Sequence, residues 1–284
     1  MTVIWLDGQW LDETSATISV FDHGLLYGDG VFEGMRAYGG RIFRMDQHLD
    51  RLYDSARAVW MDIPMSRAEL GAITIEAVKR AALDDAYLRH IVTRGRGDLG
   101  LDPRKCAKPT MLLIVDRIRL WPEETYAKGL KVITAGTPMP HREALSPRVK
   151  SLNYLSHILA KVEAIQAGAD EAIMLDPVGY VTEGSGQNLF VVKQGVMRTP
   201  PSWAGILRGV TRDAVMELAA EAGLAVREEP LNRYDIYTAD EAFFTGTASE
   251  IAPIRELDGR PIGEGRMGPV TADLRQRFRQ LVRG

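Results

Sequence analysis

Val31-Phe32-Glu33-Gly34-Met35-Arg36-Ala37-Tyr38 runs straight into Gly39-Gly40 and then Arg41-Ile42-Phe43-Arg44. Both flanking runs read as strands, and the diglycine supplies the positive φ that a tight hairpin turn needs. Upstream, Val3 to Leu6 and Gln9 to Leu11 form a similar pair around Asp7-Gly8. Downstream the pattern turns helical: Leu49, Leu52, Tyr53, Ala56, Val59 and Trp60 recur at three-to-four spacing, predicting a helix over 45–61. A second helix is expected over 66–82, after the Pro64-Met65-Ser66 break.

Working outward, strands are expected at 87–93 and 110–115 around the Gly/Pro-rich loop 95–109. Trp121-Pro122-Glu123-Glu124 then interrupts the pattern. Beyond it come a strand at 130–135, a helix at 152–167, strands at 171–175 and 188–192, and a helix at 210–222 closed by Gly223. Strands at 225–229 and 241–245 and a terminal helix from about Thr271 complete the chain. Strands and helices intermix without strict βαβ alternation, which predicts an α+β fold. The expected division is a smaller N-terminal α+β domain, 1–118, an interdomain linker, 119–129, and a larger C-terminal domain, 130–284.

Composition sets the outer bounds. A chain of 284 residues, 45% hydrophobic and 26% charged, can bury a substantial core and is neither disordered nor a small disulfide scaffold. Its net charge of −3 gives no reason to expect nucleic acid as a partner. The lone cysteine, Cys106, cannot form an internal disulfide. Apolar runs such as Met111 to Val115 stop at strand length. With no export signal at Met1 to Gly8, the expectation is a cytoplasmic protein without a membrane partner.

Several apparent motifs carry no chemistry. Gly95-Arg96-Gly97-Asp98-Leu99-Gly100 has the letters of a dinucleotide fingerprint, but Leu101-Asp102-Pro103 follows where a helix must begin. Gly263 to Gly268 precedes a helix, yet too little chain remains for the second strand and its acidic residue. The five histidines show no metal-ligand spacing, so no metal is expected. Gly184-Ser185-Gly186 lacks the glycine framing of a serine nucleophile.

Four other stretches share one chemical requirement, that of holding an anionic aromatic aldehyde and forming an imine with it. Lys150, in Arg148-Val149-Lys150-Ser151-Leu152-Asn153-Tyr154-Leu155, sits before a helix expected to be capped by Ser151. A rigid junction suits a Schiff-base lysine, although alone it also reads as an exposed lysine. Glu183, in Val181-Thr182-Glu183-Gly184-Ser185-Gly186-Gln187-Asn188-Leu189-Phe190, could keep a ring nitrogen protonated, or simply occupy a solvated turn. Gly205 to Asp213 places a glycine turn before a helix whose free N–H groups attract phosphate. Phe244-Thr245-Gly246-Thr247-Ala248-Ser249-Glu250 offers amides and hydroxyls to a second anion. Ordinary capping or turn formation accounts for any one of the four, less readily for all of them together.

From Trp5 to about Phe278 the chain resembles the class IV pyridoxal-phosphate aminotransferases, of the branched-chain and D-amino-acid type. The resemblance rests on Tyr27-Gly28-Asp29-Gly30-Val31-Phe32-Glu33-Gly34-Met35-Arg36, His48-Leu49-Asp50-Arg51-Leu52, Lys150 to Leu155, Glu183 to Phe190, and Gly246-Thr247-Ala248-Ser249-Glu250-Ile251. It implies a two-domain α+β fold, pyridoxal 5'-phosphate as cofactor, and a homodimer with sites shared at the interdomain cleft. Carried over, Lys150 forms the internal aldimine and shuttles the proton, Glu183 pairs with the pyridinium nitrogen, and Tyr154 meets the 3-oxygen. Arg51, Val210, Thr211, Gly246 and Thr247 hold the cofactor, chiefly through its phosphate.

Within that family Tyr87-Leu88-Arg89 and Phe32-Glu33-Gly34-Met35-Arg36 look like the branched-chain pattern. The implied reaction is ping-pong transamination between L-leucine, L-isoleucine or L-valine and 2-oxoglutarate. Phe32, Tyr27 and Tyr87 are expected to wall an apolar slot. Gly34 lies on the same strand, and the Thr247-Ala248 amides take the α-carboxylate. Arg89, with Arg36 as a second candidate, pairs the γ-carboxylate of glutamate. Leu101 matches a position that reaches into the neighbouring subunit's site. The alternatives are a D-amino-acid or (R)-amine aminotransferase and, against the Tyr87-x-Arg89 element, an aminodeoxychorismate lyase. One departure is the segment 116–124, where only Trp121 stands in for an aromatic pair that some branched-chain enzymes carry. Arg96 and Arg208 add cationic groups that could broaden specificity.

Overall fold

The glycine-linked hairpin is the edge of an antiparallel sheet in the computed structural model, which describes residues 1–118 and 120–284. The chain divides into two units, Met1–Ile118 with Val149–Asn153, and Arg119–Arg148 with Tyr154–Gly284.

The first unit contains β1 (Val3–Leu6), β2 (Gln9–Leu11), α1 (His23–Tyr27), β3 (Gly30–Tyr38), β4 (Arg41–Ile42), α2 (Met45–Ala58), α3 (Arg67–Ala81), β5 (Ala86–Thr93) and β6 (Thr110–Asp116). Its six strands run in the order β2-β1-β6-β5-β3-β4, every neighbouring pair antiparallel. Alternation along β3 and β5 divides the sheet into two faces. Val31, Met35, Ala37, Leu88 and Val92 form a core with Leu49, Leu52 and Ala56 of α2 and Leu70, Ala77 and Val78 of α3. The opposite face carries Phe32, Gly34 and Arg36, opposed in register by Ile91, Arg89 and Tyr87. Ser66 and Glu69 form a reciprocal capping box that starts α3.

The second unit contains α4 (Glu123–Lys128), β7 (Leu130–Thr134), α5 (Leu155–Gln166), β8 (Glu171–Leu175), β9 (Val181–Gly184), β10 (Asn188–Lys193), β11 (Val196–Thr199), α6 (Val210–Glu221), β12 (Ala225–Glu228), α7 (Arg233–Tyr237), β13 (Glu241–Gly246), β14 (Glu250–Leu257), β15 (Arg260–Pro261) and α8 (Pro269–Arg283). Its strands run β12-β11-β10-β13-β14-β7-β8-β9, with β15 paired to β14. The β11–β12, β14–β7 and β7–β8 pairs are parallel and the rest antiparallel, as suits an α+β sheet. Leu130, Val132, Ile173, Leu189, Val191, Phe244 and Ile254 fill one core of this unit.

Three local expectations are corrected. The helix expected from Leu152 begins at Leu155, and Ser151 is not its cap. Instead Val31 and Ser151 form an antiparallel bridge, while Phe32 N–H donates to Lys150 O and Leu152 N–H to Gly30 O. Sheet-like pairing with β3 keeps these residues extended, and groups 149–153 with the first unit rather than with the expected domain 130–284. The stretch expected as a linker carries α4, started after Pro122, and Arg119 itself lies outside the described residues. Among the described residues no helix is long and apolar enough to cross a membrane.

Candidate active site

Lys150 is held through its backbone on both sides. Its N–H donates to Ser55 Oγ of α2 at 3.1 Å, and its carbonyl accepts from Phe32 N–H at 2.9 Å. Its Nζ lies 4.6 Å from the centre of the Phe32 ring, so an ammonium there meets the negative face of an aromatic. The Arg89 guanidinium carbon lies 4.7 Å from the same ring centre. Arg89 Nη2 donates to Tyr87 Oη at 2.9 Å, whereas its Nε is buried with no hydrogen-bond partner. Gly34 leaves the space that Tyr87 occupies, since a Cβ there would lie 2.2 Å from Tyr87 Oη. The Phe32 face of the sheet therefore combines an aromatic wall, a phenol and a guanidinium with the Lys150 amine.

The opposite face carries Arg51, in contact with a residue that sequence reasoning left without a role. Glu33 is fully buried on β3 and takes two bonds from Arg51, Nε to Oε1 at 2.6 Å and Nη2 to Oε2 at 2.9 Å. His48 Nδ1 lies 2.8 Å from Oε2. Burial works to raise the Glu33 carboxyl, but the Arg51 charge and the hydrogen bonds from Arg51 and His48 prevail and hold it well below the usual carboxylate range. Burial also lowers the His48 proton affinity against the pull of Glu33. An ionised Glu33 accepts only, so His48 Nδ1 carries the shared hydrogen.

In the second unit, Tyr154 precedes α5 and stacks on His157 with ring centres 4.5 Å apart. His157 is in turn tied to Ser185 O, 3.0 Å from Nδ1. Glu183, on β9, is buried, and its Oε2 accepts from Asn188 Nδ2 at 3.0 Å and Leu207 N–H at 3.2 Å. Asn188 Nδ2 also donates to Leu207 O at 2.8 Å, fixing the carboxylate between β10 and the loop before α6. Gly209 begins α6 without any side-chain cap. Among the described residues nothing accepts from the buried Val210 and Thr211 N–H groups. Helix starts in that condition draw anions.

Gly246 ends β13, and Thr247, Ala248 and Ser249 turn the chain into β14. Thr245 Oγ1 and Ser249 Oγ, flanking this turn, are buried with no hydrogen-bond partner. Such orphaned hydroxyls mark a place where a ligand or water completes the bonding.

Some candidate residues stand apart. The Tyr27 ring meets His23 edge-on and its hydroxyl donates to Leu99 O at 2.6 Å, so no described contact joins it to Phe32 and Tyr87 in one wall. Leu101 is exposed. Arg36 lies over the Tyr38 ring, 4.9 Å from its centre. Arg208 is drawn to Asp213 at 2.9 Å. Among the described residues no group of three His, Cys, Asp or Glu side chains is placed to hold a metal ion.

A family model described as amino-transferase class IV matches residues 30–257. The chain is 50% identical to a putative branched-chain-amino-acid aminotransferase of Methanocaldococcus jannaschii, covering 98% of this chain and 96% of that one. It is 45% identical to a branched-chain-amino-acid aminotransferase of Pseudomonas aeruginosa, covering 99% and 93%. A solved structure of the T.th. branched-chain amino acid aminotransferase, complexed with N-(5'-phosphopyridoxyl)-L-glutamate, superposes with a TM-score of 0.93 at 37% identity, covering 99% of this chain and 93% of that one. On full-length likeness in both sequence and fold, the chain belongs to the class IV aminotransferases.

Proposed function

We propose that the chain is a pyridoxal-phosphate-dependent aminotransferase moving the amino group of L-leucine, L-isoleucine or L-valine to 2-oxoglutarate in two half-reactions. The observation that carries this reading is Arg89 resting on Phe32 beside Tyr87. Ping-pong transfer makes one site accept both an apolar and an acidic side chain. An aromatic wall with a guanidinium against it serves both: leucine lies on the ring, and the γ-carboxylate of glutamate pairs with Arg89. Relatives named for branched-chain substrates, and a neighbour complexed with a phosphopyridoxyl derivative of L-glutamate, support the same reading.

The residues present fit the cofactor. The α6 N–H groups and Arg51 suit its phosphate, the buried Glu183 carboxylate suits its ring nitrogen, and Tyr154 suits its 3-oxygen. Gly246 and Thr247 would add to the phosphate contacts, and the Thr247-Ala248 turn, flanked by the unpartnered Thr245 and Ser249 hydroxyls, would bind the α-carboxylate. When bound, pyridoxal phosphate supplies the electron-withdrawing ring that acidifies the α-hydrogen of an attached amino acid.

Lys150 Nζ would move the proton between the substrate α-carbon and the carbon that carried the aldehyde, in one sense for the first half-reaction and in the opposite sense for the second. Its two backbone bonds fix where the amine begins, and Phe32 limits where it swings. Glu183, oriented by Asn188 and the Leu207 amide, keeps its hydrogen-bond partner protonated. Tyr87 orients Arg89, and Arg36 stands opposite Tyr87 on the same sheet face as a second candidate for the γ-carboxylate.

We also infer a cytoplasmic homodimer. The lone cysteine suits a reducing compartment, and Leu25, Tyr27, Leu99 and Leu101 are exposed apolar side chains suited to contact with a second copy. The test is product analysis. L-leucine with 2-oxoglutarate should yield L-glutamate and the branched 2-oxo acid, and Lys150→Ala should abolish that turnover. Formation of D-glutamate, or release of pyruvate from aminodeoxychorismate, would contradict the assignment.

A further inference from the structure

Glu33 is a buried carboxylate that the mechanism above does not use. It points away from the Phe32 face, and its two partners, His48 and Arg51, lie three residues apart on α2 and so share one side of that helix. Arg51 offers the Nε–Nη2 edge of its guanidinium to the two carboxylate oxygens. This side-on fork sets the plane of the group as well as its position. A buried ion pair is often replaceable by apolar residues without loss of stability, so stability alone gives little reason to place one here.

We propose that Glu33 is a positioning residue for phosphate recognition: it fixes the plane of Arg51, so that the guanidinium meets the phosphate of pyridoxal phosphate in one orientation. The inference rests on the reading of Arg51 as a phosphate ligand. His48 holds Glu33 from the other side, as a neutral donor. The charges make the idea sharp. Glu33 and Arg51 together are neutral, and a carboxylate near a phosphate repels it. By Coulomb's law alone, removing the Glu33 charge should tighten phosphate binding. Positioning predicts the opposite sign.

The experiment titrates the full-length protein, freed of cofactor, with pyridoxal phosphate and separately with pyridoxal, following visible absorbance. Glu33→Gln is expected to weaken pyridoxal phosphate about tenfold or more while leaving pyridoxal within about twofold. Unchanged or tighter binding of pyridoxal phosphate overturns the proposal. So does equal weakening of both ligands, which is what a merely structural role produces. Arg51→Lys leaves Glu33 in place and carries the test if Glu33→Gln fails to fold. It keeps the cation but loses the fork, and should lose about as much phosphate preference. Full retention of that preference by the lysine variant overturns the proposal. If Arg51→Gln also retains it, Arg51 is not a phosphate ligand, and the inference falls with that reading.

Discussion

Arg89 lies against Phe32, its guanidinium carbon 4.7 Å from the ring centre, with Nη2 bonded to Tyr87 and Nε buried without a partner. A guanidinium held by an aromatic face and one phenol has donors in reserve for a carboxylate that arrives with only one of the two substrates. Replacing it should therefore separate the half-reactions. Arg89→Gln is expected to raise KM for 2-oxoglutarate by about tenfold to a hundredfold while altering the L-leucine half-reaction less than about threefold. Steady-state and single-turnover kinetics check this, and equal losses with both substrates would count against a role specific to the acidic one.

Gly34 tests the Tyr87 contact without touching a charge. A Cβ there would lie 2.2 Å from Tyr87 Oη, and the backbone of β3 cannot retreat because β5 and the Lys150 segment pair with it. Gly34→Ala should displace the phenol, break the Arg89–Tyr87 bond and lower kcat/KM about tenfold or more for both substrates. The spectrum of the bound cofactor should not change.

Gly209 does the same for the cofactor groups. A Cβ at that position would lie 2.1 Å from Asn188 Oδ1, the side chain that bonds Glu183 and Leu207. Gly209→Ala should weaken pyridoxal phosphate binding by about tenfold, as a carboxylate loses a buried hydrogen bond. Equilibrium dialysis measures it.

Stability should fall in mild acid. Burial holds the His90 ring down to about 4 from an ordinary 6.5, with only a partial opposing pull from Glu33. Its Nε2 lies 3.0 Å from Thr74 Oγ1. Between those pH values the unfolded chain binds a proton that the folded chain refuses, so stability is lost as pH drops from about 6.5 toward 4. The His90 contribution is roughly 3 kcal/mol at most. Glu33, held low, adds a further loss below the ordinary carboxylate range. Unfolding midpoints from pH 7.5 to 4 check the slope, which His90→Gln should flatten.

What the sequence made legible was local. Alternation along β5 and the three-to-four spacing of Leu49, Leu52 and Ala56 put the core on one side of the first sheet, and the Gly39-Gly40 turn fixed the hairpin. Lys150 shows the limit. Ser151 has the chemistry of a helix cap, but pairing with Val31, remote in sequence, outweighs that local preference and keeps the segment extended. Glu33, part of the Phe32-Glu33-Gly34 motif, had no role legible in the sequence for the same reason: only the fold reveals that α2 brings His48 and Arg51 to it. Expecting 119–129 as a linker overlooked α4, a helix too short to show a period.

The most direct measurement follows the visible absorbance of the pyridoxal-phosphate-loaded protein after adding a single amino donor. L-leucine alone should bleach the band rapidly, and 2-oxoglutarate should restore it. Bleaching by D-alanine or (R)-1-phenylethylamine, with none by L-leucine, would contradict the assignment of this site to L-branched-chain amino acids.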